Sequence, residues 1–306
     1  MKSLKFYLKD AMKNGYALGA YNFVNMETLK GICEGCKKTN SPAIVSVSEG
    51  ALEYMNESFV KNLYDSAKNE YKVPIFLHLD HGKSFEVCKK AIALGFESVM
   101  IDGSSLDYAE NVKLTKKVTD YAHKKGVLVE AELGVLAGVE DTVSAEKNIY
   151  TDPDQAKDFV EKTNCDTLAI AIGTSHGAYK FKGEQKLAFD ILKKIQEKIP
   201  NTPLVLHGAS SVPQKYVETF NQYGGNITGA VGVPEKLLTK ACTKFHVYKI
   251  NSDTDIRLAY MSTFRKYLTE NPSVFDLRKP NVCAIEEISN LIADKNKRVF
   301  KNANKA

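Results

Sequence analysis

Histidine stands directly before glycine at three separate points of the sequence. The three pairs are His81-Gly82, His176-Gly177 and His207-Gly208. Three imidazoles with an open fourth position are typical of a catalytic zinc ion, whereas structural zinc sites are closed and rich in thiolates. Nitrogen ligands favour zinc over magnesium, which prefers oxygen, and the glycines allow substrate or backbone to approach closely. The pattern predicts a catalytic zinc site.

A carboxylate adjoins the first of these histidines, in the stretch "PIFLHLDHGKS". Asp80 and His81 are neighbours, so on a regular strand their side chains point to opposite faces. If His81 binds a metal, Asp80 at the end of the strand can still reach a substrate as a proton donor. His78 shares the face of Asp80 and lies two residues deeper, and both a place behind the site and direct contact with it remain open.

The elements that position these residues follow a regular pattern of short β-branched runs separated by helical patterns with apolar residues at three- and four-residue spacing. The runs span residues 18–24, 43–48, 74–80, 98–103, 127–133, 167–173, 203–209 and 247–253. Their nearly continuous apolar character is typical of parallel strands covered on both faces. We predict an α/β fold, a (β/α)8 TIM barrel that forms one domain over residues 1–306, with a C-terminal helical extension from about residue 256 to 306.

Polar residues end most of the predicted strands. They are His78, Asp80 and His81, then Asp102, Glu132, His176, His207, Asn251 and Asp253. In such a barrel the carboxyl ends of all strands lie on one face, which carries the active site. We therefore expect these residues to converge.

Two turns suit the binding of a phosphorylated substrate. The turns "HGASS" and "INSDT" supply small residues, hydroxyls and backbone N–H groups where barrel enzymes commonly hold phosphate, and Lys180 and Arg257 could add charge. A long segment after Glu132 carries the acidic pair Glu140-Asp141. We interpret this segment as a lid whose carboxylate acts as a base once substrate is covered. The glycine-rich stretch 222–236 is interpreted as an insertion loop and not as a nucleotide-binding loop.

The composition is that of an ordinary globular protein. Of the 306 residues, 43% are hydrophobic and 26% charged, and the net charge of +5 is interleaved along the chain, which argues against nucleic acid as a partner. No apolar run approaches the roughly 18 to 20 residues that span a bilayer, and none suits a signal peptide, so no membrane role is expected. Six scattered cysteines favour a reducing, cytoplasmic compartment, with Cys33 and Cys36 as half-buried thiols on one helix.

The chain resembles the class II, metal-dependent fructose-bisphosphate aldolases and their tagatose-bisphosphate relatives. In chain order, the stretches that carry the resemblance are "GAYNF" (19–23), "VSEGA" (47–51), "HLDHG" (78–82), "MIDGS" (100–104), "EAELG" (130–134), "GTSHGAYK" (173–180), "LHGASS" (206–211) and "KINSDTDIRLA" (249–259).

The resemblance implies a role for each matching residue. His81, His176 and His207 hold the catalytic Zn²⁺, Asp80 exchanges a proton with the C4 hydroxyl, and Glu140 moves the C3 proton of dihydroxyacetone phosphate. Asp102 and Glu132 belong to a second metal position, and a second divalent ion or a monovalent cation is an open addition. The residues that bind the sugar phosphate are Asn22, Ser48, Gly177, Lys180, Gly208, Ala209, Ser210, Asn251, Asp253, Thr254 and Arg257, the last across a dimer interface.

The implied activity is a lyase of glycolysis and gluconeogenesis. It cleaves fructose 1,6-bisphosphate reversibly into dihydroxyacetone phosphate and glyceraldehyde 3-phosphate through a zinc-stabilised enediolate, in a homodimer or homotetramer. Ser252 replaces an aliphatic residue that is usual in the family, and the longer span from His207 to Asn251 favours fructose over tagatose.

Other chemistries are weaker fits to the same residues. Tagatose-1,6-bisphosphate cleavage is the alternative. A TIM-barrel zinc hydrolase is less well supported because it would not need the two phosphate-type turns. A non-catalytic sugar-phosphate binder is less well supported because it would not need an acid, Asp80, beside a metal. A Schiff-base lysine is disfavoured because no lysine is expected in the middle of a strand, where that mechanism would need one; Lys249 precedes the end of the eighth strand and is flanked by Tyr248 and the turn of the site.

Overall fold

The computed structural model describes residues 2–136, 149–175, 177 and 186–306, and the backbone of residues 138–140 and 143–145. Within these ranges, eight parallel strands close into a barrel in the order β1-β10-β9-β8-β5-β4-β3-β2. The strands are β1 (Leu18–Asn22), β2 (Ala43–Ser48), β3 (Ile75–Gly82), β4 (Ser98–Ile101), β5 (Leu128–Leu133), β8 (Thr167–Ile170), β9 (Leu204–Leu206) and β10 (Val247–Ser252). Each lies within or overlaps a predicted run, and the predicted (β/α)8 barrel is confirmed.

Helices connect the strands and surround the barrel. They are α1 (Leu4–Asn14), α2 (Met26–Thr39), α3 (Glu49–Met55), α4 (Glu57–Tyr71), α5 (Phe85–Ala93), α6 (Tyr108–His123), α7 (Pro153–Thr163), α8 (Phe189–Lys198), α9 (Gln214–Gln222), α10 (Glu235–Lys244), α11 (Thr254–Glu270) and α12 (Arg278–Asp294). Side-chain caps start several of them: Ser84 Oγ accepts from the Val87 N–H, and Asp152 caps α7 ahead of Pro153.

Alternate side chains along a strand point into the barrel, and on β3 these inward residues change from apolar to polar along the strand. Phe76 joins Tyr7 and Leu18 in an apolar cluster inside the amino-terminal end of the barrel, beneath α1. His78 and Asp80 follow Phe76 on the same side of β3 and are both buried. The interior of the barrel is therefore apolar at its amino-terminal end and becomes polar toward the carboxyl ends of the strands.

The C-terminal helices pack back onto the barrel through α2. A Cβ atom on Gly31 would lie 2.7 Å from Ile288, and one on Gly35 would lie 2.6 Å from Ile292, so glycine permits the close approach of α12. A π-helical turn, Lys295–Val299, follows α12 and brings the buried Lys295 inward.

The segment after Glu132 and the glycine-rich stretch 222–236 are two of the longer connections. In the segment after Glu132, β6 (Gly138–Glu140) and β7 (Val143–Ala145) form an antiparallel hairpin, and the stretch 222–236 connects α9 to α10. Cys33 and Cys36 are free, fully buried thiols on α2 and not half-buried ones, and burial raises the pKa of Cys36 to about 12. No helix in the described part of the chain is long and apolar enough to cross a membrane.

Candidate active site

An irregularity in β3 brings Asp80 and His81 to the same place. Leu79 pairs with Val99 on β4 and Gly82 pairs with Ile101, so two residues of β3 face one residue of β4. His81 has a φ of +51°, which is uncommon for a residue with a side chain. The expectation that the two side chains diverge holds for a regular strand, and here the local bulge overturns it. Ligand atoms of Asp80, His81 and His207 lie within 4.8 Å of one another.

The ring of His207 completes this group from the end of β9. Its centroid lies 4.5 Å from that of His81, and its Nδ1 lies 3.9 Å from Asp80 Oδ1. On the other edge of the ring, Nε2 lies 2.8 Å from Glu130 Oε1. Because an ionised carboxylate can only accept, Nε2 carries the hydrogen and Nδ1 is an acceptor, to which Asn251 Nδ2 donates at 3.2 Å. Burial and the charge of His81 lower the pKa of His207, which keeps the ring neutral.

Glu130 and Lys249 form a buried ion pair beneath His207. Glu130 Oε1 also accepts from Lys249 Nζ at 2.8 Å. Burial alone would raise the pKa of Glu130, but the ammonium of Lys249 and the hydrogen bond from His207 hold it below its ordinary value. The prediction that no lysine lies in the middle of a strand is wrong, since Lys249 is the third of the six residues of β10. Its ammonium is occupied by Glu130, which keeps it from serving as a Schiff-base amine.

His78 lies behind the site. Its Nε2 is 3.2 Å from Lys249 Nζ, and its Nδ1 is 2.7 Å from Ser98 Oγ. Because an ammonium can only donate, Nε2 accepts and Nδ1 carries the hydrogen that Ser98 accepts. Burial and the charge of Lys249 lower the pKa of His78 to about 3. Of the two positions that the sequence left open for His78, these contacts favour the one behind the site.

A second group of possible metal ligands shares His81. Its members are His81, Asp102 and Glu132, and their ligand atoms also lie within 4.8 Å of one another. Asp102 Oδ2 is 3.0 Å from His81 Nδ1 and accepts from Lys83 Nζ at 2.8 Å. Burial by itself would lower the pKa of His81, but the hydrogen bond to Asp102 and the charge of Asp80 raise it to about 10.

Glu132 is the unusual member of the second group. Its Oε2 is buried without a hydrogen-bond partner in the described part of the chain and lies 3.8 Å from His81 Nδ1. Burial and the charge of Asp102 raise the pKa of Glu132 to about 8. A buried carboxylate oxygen without a donor indicates that a ligand belongs beside it. Nitrogen donors beside carboxylate oxygens fit a divalent metal ion of the zinc type.

The carboxylate of Asp80 is fixed by two amides. Asn22 Nδ2 donates to Oδ2 at 2.8 Å and Asn251 Nδ2 donates to Oδ1 at 3.0 Å. Burial alone would raise the pKa of Asp80, but His81 and His207 hold it well below its ordinary value. Asp80 therefore faces the metal group as an oriented, ionised carboxylate. Ser48, which caps α3, pairs with Asp80 in the register of β2 and β3.

The predicted phosphate-binding turns surround this group. Gly208 has a φ of +55°, and a Cβ there would lie 2.5 Å from the Ser175 carbonyl oxygen. Ala209 and Ser210 follow it and are buried. Asp253 and Thr254 begin α11 next to Asn251, and Arg257 Nη2 pairs with Asp253 Oδ2 at 2.7 Å. Gly177 has a φ of +78°.

Three predicted residues cannot be placed at the site. His176 and Lys180 lie outside the described residues, as does the side chain of Glu140, whose backbone ends β6. Among the residues that sequence reasoning missed are Glu130 and Lys249. A usable signal existed, because Glu130 and Glu132 are two apart on β5, and Lys249 and Asn251 are two apart on β10. Residues two apart on a strand share a face.

Comparisons with known proteins identify one family. The model of the class-II fructose-bisphosphate aldolase family matches residues 2–305. A fructose-bisphosphate aldolase of Treponema pallidum (strain Nichols) is 49% identical, over 97% of this chain and 95% of the relative. One of Giardia intestinalis is 46% identical, over 90% of this chain and 85% of the relative. The crystal structure of the YdjI aldolase of Escherichia coli K12 is 29% identical with a TM-score of 0.80 and full coverage of both chains.

Proposed function

The chain belongs to the class-II fructose-bisphosphate aldolase family and is a metal-dependent lyase that acts on sugar phosphates, and we propose that its substrate is fructose 1,6-bisphosphate. The reaction is reversible cleavage into dihydroxyacetone phosphate and glyceraldehyde 3-phosphate, a step of glycolysis and gluconeogenesis. One observation carries the assignment of residues: Asp80, His81 and His207 meet within 4.8 Å at the carboxyl ends of the strands, where barrel enzymes place their chemistry.

The metal is assigned as Zn²⁺, with His81, His176 and His207 as its ligands. Support comes from the nitrogen donors and from His207 Nδ1, which the hydrogen bond from Nε2 to Glu130 leaves without a hydrogen on the side of Asp80 and Asn251. When bound, the ion polarises the carbonyl next to the breaking bond and stabilises the charge that develops there. His81, Asp102 and Glu132 form a second position for a divalent cation.

Asp80 is assigned the proton transfer at C4. Cleavage between C3 and C4 turns the C4 hydroxyl into an aldehyde, so a base must take the hydroxyl proton as the bond breaks. The carboxylate of Asp80 is ionised and held by Asn22 and Asn251, which leaves it oriented for that proton. In the direction of synthesis the same group returns the proton to the new hydroxyl.

The second proton transfer is assigned to Glu140. Cleavage leaves carbanion character at C3, and a proton must be delivered there to release dihydroxyacetone phosphate. Glu140 ends β6 of the hairpin that follows β5, so its backbone belongs to the connection leaving the site strand of Glu132. A carboxyl group on such a connection can give its proton to C3 in cleavage and take one back as a carboxylate in synthesis, in both cases only when substrate is covered.

Phosphate recognition is assigned to the ends of β9 and β10 and the segment after β8. The residues proposed to bind the triose and its phosphate are Gly177, Lys180, Gly208, Ala209, Ser210, Asn251, Asp253 and Thr254, with Asn22 at the end of β1 and Ser48 at the end of β2. We assign Arg257 to the other phosphate across the interface of a homodimer or homotetramer. The six free cysteines support a reducing, cytoplasmic compartment.

The experiment is a cleavage assay with fructose 1,6-bisphosphate, with and without a metal chelator, that measures triose phosphate release. We expect cleavage that the chelator abolishes and added Zn²⁺ restores. Tagatose 1,6-bisphosphate, which differs only in configuration at C4, is the matched substrate and should be cleaved more slowly. Release of inorganic phosphate in place of triose phosphate would indicate a hydrolase, and binding without cleavage would indicate a sugar-phosphate binder.

A further inference from the structure

A fully buried ion pair joins the C-terminal helices to the loop after β9. Lys295 Nζ lies 2.7 Å from Asp255 Oδ2, and the two side chains are 1% and 0% exposed. Asp255 lies in the first turn of α11, whereas Lys295 starts the π-helical turn after α12. Burying two charges is costly unless hydrogen bonds satisfy them, so the other partners of this pair indicate its role.

Most of those partners belong to one turn, residues 209–212, which continues from His207 and Gly208. Asp255 accepts from the Ser211 N–H at 3.0 Å and from the Val212 N–H at 2.7 Å. Lys295 Nζ donates to Ser211 Oγ at 3.0 Å. Ser252 Oγ, at the end of β10, donates to Asp255 Oδ2 at 3.0 Å. The pair therefore holds the turn after β9 against the end of β10.

The turn needs to be held. Val212 has a φ of +48°, a left-handed conformation that a β-branched residue rarely adopts, and its N–H is one of the two that bond to Asp255. From the other side, Val233 N–H bonds to the Ser210 carbonyl at 3.0 Å, and a Cβ on Gly232 would lie 2.2 Å from the Ser211 carbonyl carbon. Strained backbone of this kind persists where its surroundings determine it.

We propose that Asp255 and Lys295 are positioning residues that hold the turn 209–212 in the conformation in which its backbone N–H groups bind a substrate phosphate. This rests on the proposed function, which places phosphate at Ala209 and Ser210. The N–H groups of Ser211 and Val212 face the Asp255 carboxylate, so the pair fixes one side of the turn and leaves the N–H groups before it for the ligand. Neither side chain touches substrate, and both act through the turn.

The test compares two variants with wild-type protein. The double variant Asp255→Asn/Lys295→Met removes both charges at nearly constant volume, so neither charge is left buried alone. The control is Arg298→Met, which removes the exposed ion pairs of Arg298 with Asp294 at 2.6 Å and with Glu235 at 2.9 Å, neither of which includes a residue of the turn. Unfolding in urea and metal content establish that each variant is folded and loaded.

The double variant should raise the KM for fructose 1,6-bisphosphate about tenfold, the scale of one lost hydrogen bond to a charged group, with little change in kcat. Inhibition by inorganic phosphate should weaken by a similar factor, and amide hydrogen exchange in residues 207–216 should accelerate. Arg298→Met should change none of these. A folded, metal-loaded double variant with wild-type KM, phosphate inhibition and exchange would overturn the proposal, and so would loss of kcat alone.

The behaviour of the wild-type protein separates this proposal from the function on which it rests. Wild-type protein that binds inorganic phosphate but cleaves nothing contradicts the aldolase assignment, and phosphate binding by the double variant still tests the turn. If the double variant does not fold, Ser252→Ala removes one hydrogen bond to Asp255 without changing any charge. It should raise KM about threefold, in line with a typical single hydrogen bond, and an unchanged KM would overturn the proposal.

Discussion

Glu130 Oε1 lies 2.8 Å from Nε2 of His207, and this contact places the hydrogen on Nε2 and leaves Nδ1 as the acceptor that faces the site. The same oxygen lies 2.8 Å from Lys249 Nζ, so the carboxylate stays ionised although it is buried. A metal-binding histidine is commonly oriented by a carboxylate on its other nitrogen, and the loss of such a partner typically weakens metal binding about 10- to 100-fold.

Glu130→Gln should therefore weaken Zn²⁺ binding by about 10- to 100-fold. The amide oxygen can still accept from His207, but the negative charge that balances Lys249 is lost. Competition with a chelating dye measures the affinity directly, without an activity assay. Thr167→Val is the control, because Thr167 Oγ1 lies 3.3 Å from Glu130 Oε2 and its removal leaves the charge in place. Equal affinity in Glu130→Gln and wild type would contradict the role assigned to Glu130.

Asp80 and His207 should separate metal binding from catalysis. His207→Ala removes a predicted ligand and should lose the metal. Asp80→Ala removes the proton-transfer group and should keep the metal while kcat falls by about 10²- to 10⁴-fold, the usual contribution of a positioned acid or base. Metal content per protein chain and kcat for fructose 1,6-bisphosphate check both variants. Metal-free Asp80→Ala protein would show that this carboxylate is a ligand instead.

Polar residues at the carboxyl ends of the strands could be identified as site residues from the sequence, because a parallel barrel places all carboxyl ends on one face. Asp80, His81 and His207 meet there as predicted. The bulge that turns His81 beside Asp80 could not be predicted from the sequence, since nothing in "HLDHG" distinguishes a regular strand from one that shifts register. The burial of Lys249 in mid-strand could not be predicted either, because it depends on a partner, Glu130, 119 residues away in the chain.

The same limit applies to the pair Asp255 and Lys295. Each residue is ordinary in sequence, one in the first turn of a helix and the other in a basic stretch near the C-terminus. Lys295 is nevertheless completely buried, in the π-helical turn after α12. Contacts between elements far apart in the chain decide such cases, and local patterns do not carry that information.

His78 should prove dispensable for metal binding. It accepts from Lys249 and contacts Ser98, and it is not a member of either ligand group. His78→Gln should keep a full complement of Zn²⁺ while the free energy of unfolding falls by about 1 to 3 kcal/mol, the cost of leaving buried polar groups poorly satisfied. Metal analysis and urea unfolding give the two values. Ser98→Ala is the matched variant, with a smaller expected loss. A metal-depleted His78→Gln protein would place His78 in direct contact with the ion.

Acid should weaken the fold through Asp255. Burial by itself would raise the pKa of Asp255, but the ammonium of Lys295 and the N–H groups of the turn hold it below its ordinary value. A carboxyl with a depressed folded-state pKa stabilises the protein above its unfolded pKa of about 3.9 and loses that contribution as pH falls toward the folded value. The free energy of unfolding of wild type should therefore fall below about pH 4 more steeply than that of Asp255→Asn/Lys295→Met. Urea unfolding at pH 7 and at a series of pH values below 4.5 measures the difference, with Arg298→Met as the control. Parallel curves for wild type and the double variant would show that Asp255 keeps an ordinary pKa in the folded protein.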